Sequence, residues 1–143
     1  MDATRALEAA KKRRREVADA GVEVEEAIAR PKSSPDWSAA VAAALAELDD
    51  AFRSHCDEVE ATDGLFEEIA AEAPRLEHQI AELRRRHAEI VAEIERVRAE
   101  LPGLDPDEVR TRAESLLVTL SRHRAQESDL VWEAYMVDLG GWS

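Results

Sequence analysis

The chain is poor in the residues that mark most small-protein chemistries. Its 143 residues include one cysteine and five glycines, and aromatics make up 4%. A lone Cys56 cannot close an internal disulfide, and zinc ribbons and redox cysteine pairs each need at least two. A reducing, cytoplasmic setting is therefore expected. The glycines are scattered, apart from one C-terminal pair, and form no phosphate-cradling loop. No apolar run approaches the ~20 residues of a membrane span. Met1-Asp2-Ala3-Thr4-Arg5 leads into no signal-peptide core, so no membrane association is expected. Positive charge is in deficit: 19 Lys+Arg against 32 Asp+Glu leave a net charge of −13. That balance argues against nucleic acid as a partner, because phosphate binding needs clustered positive charge.

What is present suits helices. Ala, Leu, Glu and Arg dominate, whereas sheets favour aromatic and β-branched residues. The length fits one domain spanning residues 1–143. Turn signals divide it into helices over about 4–30, 36–61, 74–101 and 106–138, with a short helical segment over about 65–71. Pro31 to Pro35, Thr62-Asp63-Gly64 and Pro102-Gly103 supply the breaks. Ser34-Pro35 and Asp105-Pro106 read as a capping side chain followed by a proline at the first helical position. Gly140-Gly141 closes the last helix.

Each long helix carries one apolar stripe at steps of three and four. The stripes are Leu7, Ala10, Arg14, Val17, Gly21, Val24, Ile28 on the first and Trp37, Val41, Leu45, Leu48, Phe52, His55, Val59 on the second. On the third they are Leu76, Ile80, Leu83, His87, Ile90, Ile94, Val97, Leu101, and on the fourth Leu116, Leu120, His123, Glu127, Leu130, Ala134, Val137. Residues three and four apart share a face, so these stripes must be buried against one another. The expected fold is all-α: an antiparallel, up-down-up-down four-helix bundle.

Three of the four histidines, His55, His87 and His123, fall on these stripes, one per helix. His78 precedes His87 by nine residues, about 900° of rotation, and so faces the opposite, polar side. A buried imidazole without partners costs roughly 1–3 kcal/mol. Glu127 shares the stripe one turn after His123, and a buried carboxylate is costlier still unless paired or bound to metal. Nitrogen and oxygen donors of this kind suit iron, manganese or zinc, and bundle cores host such sites. The same residues could instead form a buried hydrogen-bond network without metal. Ferritin-like Glu-x-x-His pairs are absent: Phe52, Arg75, Arg84 and Leu120 stand three residues before the histidines.

Other stretches have plainer readings. Lys11-Lys12-Arg13-Arg14-Arg15 and Arg84-Arg85-Arg86 read as solvated helical faces, with Glu8 and Lys12 one turn apart in the favourable order. Trp132 and Tyr135 widen the last stripe, in a C-terminal aromatic region suited to end packing or to a homodimer surface. Cys56, 100° around the helix from His55, reads as a structural or incidental thiol.

His55-Cys56-Asp57-Glu58-Val59-Glu60, followed by Asp63-Gly64-Leu65-Phe66-Glu67-Glu68-Ile69, resembles the second-helix motif of hemerythrin-like (HHE cation-binding) domains. Ala81 to Ile90, around His87, is similar to the third helix of that family. His123-Arg124-Ala125-Gln126-Glu127 resembles the His-x-x-x-Glu of its fourth. The resemblance covers the chain from Trp37 onward and implies the same bundle with a non-haem di-iron centre between its helices.

This chain departs from the family's pattern. Its first helix has Arg14 rather than a histidine on the stripe. Val59 stands four residues after His55, where the family has a carboxylate, and Leu83 stands one turn before His87, where it has a second histidine. The remaining set is His55, His87, His123 and Glu127, with Glu58, three residues after His55, as a possible fifth ligand. It suits one metal or none better than two. Arg14 is placed to take a vacated cation position and pair with Glu127. The expected function is metal binding, with iron (mononuclear or di-iron) as cofactor, and an oxygen- or redox-related role by resemblance alone. The rival is a metal-free helical interaction or scaffold protein with a buried His/Glu network. Nothing in the sequence places a nucleophile or substrate pocket.

Overall fold

The computed structural model describes residues 3–135, with side chains from residue 5. Among the described residues there are five α-helices: α1 (Ala3–Ala29), α2 (Trp37–Glu60), α3 (Leu65–Glu72), α4 (Glu77–Glu100) and α5 (Pro106–Tyr135). No strand occurs among the described residues. Within them, no helix is long and apolar enough to cross a membrane. Val137, the end of the last helix near Asp138 and Gly140-Gly141 lie outside the described residues, as do the outer residues of the C-terminal aromatic region.

Cross-links between neighbouring helices fix their directions. Arg110 near the start of α5 donates to the carbonyls of Ile28 (2.8 Å) and Arg30 (3.3 Å) at the end of α1. Arg14, in the first half of α1, meets Glu127 and Ser128 in the last third of α5. Likewise Asp49 of α2 pairs with Arg98 of α4, whereas His55 faces His87 with ring centroids 5.4 Å apart. Between α1 and α2, Arg13 meets Glu58 (3.7 Å) and Glu23 meets Glu47. In every pair rising numbers on one helix meet falling numbers on its neighbour, so the four long helices run alternately up and down.

Local chemistry explains the breaks. The Asp105 carboxylate accepts from the Glu108 amide (3.0 Å), and the Glu108 carboxylate accepts from the Asp105 amide (3.4 Å). This reciprocal pair caps α5, with Pro106 as its first residue. Ser34 acts differently from its expected capping role. Its hydroxyl donates to the Asp36 carboxylate at 2.6 Å, and α2 begins at Trp37 with no side chain on its free amides. Pro74 opens a 3-10 turn, Pro74–Leu76, and α4 follows at Glu77. At Gly64 a Cβ would sit 2.4 Å from the Glu58 carbonyl oxygen, so only glycine lets the chain turn this closely under α2.

The buried apolar residues fall into two clusters. One runs from Val17 through Leu45, Phe52 and Ile94 to Leu120. The other gathers Ala10, Val59, Leu65, Phe66, Ile69, Leu83 and Leu130. Every stripe residue of α2 is buried. Arg14, His55, His87, His123 and Glu127, all buried, lie along the helices between the two clusters and form a polar layer across the bundle.

Candidate metal centre

Glu127 is the focus of the polar layer. Its Oε2 lies 2.7 Å from His55 Nε2, 3.1 Å from His87 Nε2 and 3.3 Å from His123 Nε2. Its other oxygen, Oε1, accepts from Arg14 Nη1 at 3.0 Å. Arg14 also donates to the Arg124 carbonyl (2.9 Å) and the Ser128 hydroxyl (3.1 Å). The expected Arg14–Glu127 pair is thus present. Burial alone would raise the Glu127 carboxyl, but contacts with His55, His123 and His87 outweigh it and hold the group well below the usual range. Burial draws the Arg14 guanidinium down to about 9 despite its pairing with Glu127.

The three imidazoles are not equivalent. His87 Nδ1 lies 2.6 Å from Glu60 Oε2. A carboxylate only accepts, so that nitrogen carries hydrogen and Nε2 is the atom turned to Glu127. Burial pulls the His87 pKa down, but contacts with Cys56 and Glu127 prevail and push it up to about 10. His87 stands between two carboxylates, where a proton or a metal ion on Nε2 would be held. His123 is the reverse case. Neither of its ring nitrogens has a hydrogen-bond partner, and its pKa is lowered, chiefly by burial. A neutral, buried imidazole with an unengaged nitrogen is the state a metal ligand needs. His55 Nδ1 is also without a hydrogen bond.

Aromatic packing sets the ring directions. Phe52 touches all three imidazoles, with centroids 5.7–5.9 Å away. Phe66 of α3 stacks on His87 at 5.6 Å with planes 15° apart. A cavity of about 10 Å³, room for about one water, is lined by Arg14, His55, His123 and Glu127 among others. A groove of about 330 Å³ between α4 and α5 has His123 in its wall, beside Arg86 and Gln126.

The structure brings together four of the five residues singled out in the sequence. His55, His87, His123 and Glu127 each offer a ligand atom, all within 4.8 Å of one another. Glu58 does not join them: it lies on the α1 side of α2, with Oε1 3.7 Å from Arg13 Nε. Glu60 is the carboxylate that reaches the layer, and sequence reasoning missed it. Its position, 500° on from His55, puts it about 140° off the stripe at 100° per residue. Only knowledge that α4 lies on that side could have found it. His78 is exposed, as its phase required.

The donors fit a metal ion. Three imidazole nitrogens and one carboxylate oxygen from three helices suit a divalent first-row cation. Glu60 behind His87 supplies the outer carboxylate that orients such ligands. His123 Nδ1 is buried without a partner, and its Nε2 approaches Glu127 at 3.3 Å without forming a hydrogen bond. A second cation fits less well, because the guanidinium of Arg14 already stands against the outer oxygen of Glu127.

A helical bundle with a buried His/Glu cluster able to hold a metal belongs among the cation-binding bundles. The sequence model of the hemerythrin HHE cation binding domain matches residues 3–134, and the chain belongs to that family. No curated protein and no solved structure matches the chain significantly.

Proposed function

We propose that the chain binds a single metal ion, iron, through Nε2 of His55, His87 and His123 and the Glu127 carboxylate. In this reading Arg14 takes the place of a second cation. The observation that carries it is His123: buried, neutral, and without a hydrogen bond at either ring nitrogen although its Nε2 points at the convergence of the other donors. Bound iron would supply one-electron redox chemistry and an open coordination position.

The chain's own residues do the rest. Phe52 and Phe66 hold the imidazoles in place and keep bulk water from the layer. Glu60 fixes the tautomer of His87. Arg14 neutralises Glu127 and limits the site to one metal charge. The α4–α5 groove beside His123 is the entry for a small ligand, which is where an oxygen- or redox-related role would be exercised.

A metal-free scaffold is the second reading, favoured by Glu127 already being met by Arg14 and His55. Anaerobic titration with ferrous iron separates the two. Tight binding in the parent protein, lost in His123→Ala with helical content unchanged, supports the metal reading. Absence of binding by the folded parent protein supports the scaffold.

A further inference from the structure

Cys56 and Glu60 lie one turn apart on α2 and share the side that faces α4. The thiol sulfur, a Glu60 carboxylate oxygen and a His87 ring nitrogen all lie within 4.8 Å of one another. Cys56 and His87 are buried, whereas the Glu60 side chain is 29% exposed and opens the group to solvent. Glu60 meets His87 at Nδ1, the nitrogen turned away from Glu127. Arg84 holds Glu60 by its other oxygen (3.4 Å) and also reaches Glu67 (3.2 Å), which leaves Glu60 Oε2 directed at the imidazole.

We propose that Cys56, Glu60 and His87, through Nδ1, form a second metal site, selective for a thiophilic divalent cation of the zinc and cadmium kind. Sulfur, nitrogen and oxygen donors on two helices match the ligand preferences of those ions, and partial exposure leaves solvent for a fourth position. Thiolate and carboxylate together neutralise a divalent charge. Binding expels two protons to solvent, one from the Cys56 thiol and one from His87 Nδ1, and involves no redox change.

The two sites compete for His87. A neutral imidazole has one free lone pair, so a metal on Nδ1 leaves a proton on Nε2, donated to Glu127. The central cluster then keeps two histidines instead of three. A cation at the thiol site therefore weakens iron binding at the centre, and iron weakens the thiol site by the same factor. Only this coupling rests on the central-site reading; the thiol site stands on its own residues.

The test is a cadmium titration of the full chain, followed by thiolate-to-cadmium absorption in the ultraviolet. Cadmium has no bands of its own, and the single cysteine makes the signal a report on Cys56. One equivalent should saturate the band. Cys56→Ser should abolish it, and Glu60→Gln should weaken affinity about tenfold or more, at least the loss seen for outer-sphere partners of metal ligands. His123→Ala and Glu127→Gln should leave the band in place. Loss of iron binding with the cadmium band intact would count against the central site alone. No band in the folded parent protein, or unchanged affinity in folded Glu60→Gln, would overturn the thiol site.

Discussion

Two buried carboxylates in this bundle are solved in opposite ways. Asp49 of α2 is 5% exposed and Glu127 of α5 is 4% exposed. Asp49 is met by Arg53 (2.8 Å) and Arg98 (2.6 Å), whose side chains are 42% and 41% exposed. Arg53 also pairs with Glu95. Both arginines reach in from solvent, so the pairing closes without the core giving up anything further. Glu127 is met from inside, by an arginine whose side chain is 3% exposed and by three buried histidines. Its surroundings leave imidazole nitrogens unengaged. Burial of an acid is thus no sign of function by itself. What matters is whether its partners are satisfied in turn.

The contrast can be broken by substitution. Arg14→Ala removes the cation from a buried pair and strands Glu127. We expect a loss of about 3–5 kcal/mol of metal-free stability, read by urea denaturation. Ferrous iron should, conversely, stabilise the parent protein by binding only its folded state. At a hundredfold excess over its dissociation constant, a ligand specific to the folded state adds about 2.7 kcal/mol. That gain should vanish in His123→Ala and persist in Asp49→Ala. Asp49→Ala should itself cost about 1–3 kcal/mol, because Arg53 and Arg98 can relax into water.

The metal-free protein should also respond to pH through His87. Its folded pKa, about 10, is raised from the ordinary 6.5. Its contribution is therefore complete below about pH 6.5 and is lost as the pH rises through about 10, with a slope of at most about 1.4 kcal/mol per pH unit. Thermal melts across that range should show the decline, and His87→Gln should flatten it. Glu127, held low, gives the opposite edge: its contribution is present above the ordinary carboxyl pKa of 4.5 and is lost as the pH falls below it. His78→Ala, on the exposed face of α4, should change stability by less than about 0.5 kcal/mol.

Much of this layer is legible in the sequence because helical periodicity is a strong constraint. His55, His87, His123 and Glu127 lie in phase with leucines, isoleucines and valines, and a stripe that must be buried carries its polar members inside with it. Arg14 follows the same rule. Glu60 and Cys56 were not legible in this way. They lie off the stripe, and what they meet depends on which helix stands on each side of α2. Arg13 on the α1 side draws Glu58 away, while His87 on the α4 side takes Glu60. The Asp49 network escaped for a similar reason, since Arg98 lies 49 residues along the chain. Ser34 shows the limit of local capping signals: a neighbouring carboxylate captured the hydroxyl intended for the helix amides.

The basic runs illustrate the same dependence on neighbours. Lys11 and Arg13 pair with Glu8 and Glu16 along the helix face, whereas Arg14, in the same run, enters the core. Arg84, Arg85 and Arg86 each find a carboxylate, on Glu60 and Glu67, Glu82 and Glu89. A run of like charges on a helix is spread around its circumference, so its members meet different environments.

The proposed centre holds one metal ion, with Arg14 in place of a second. The most direct test is metal stoichiometry after anaerobic loading with ferrous iron and removal of the excess by gel filtration. One iron per chain is expected in the parent protein and none in His123→Ala. Two irons per chain, or none in the folded parent protein, would contradict it.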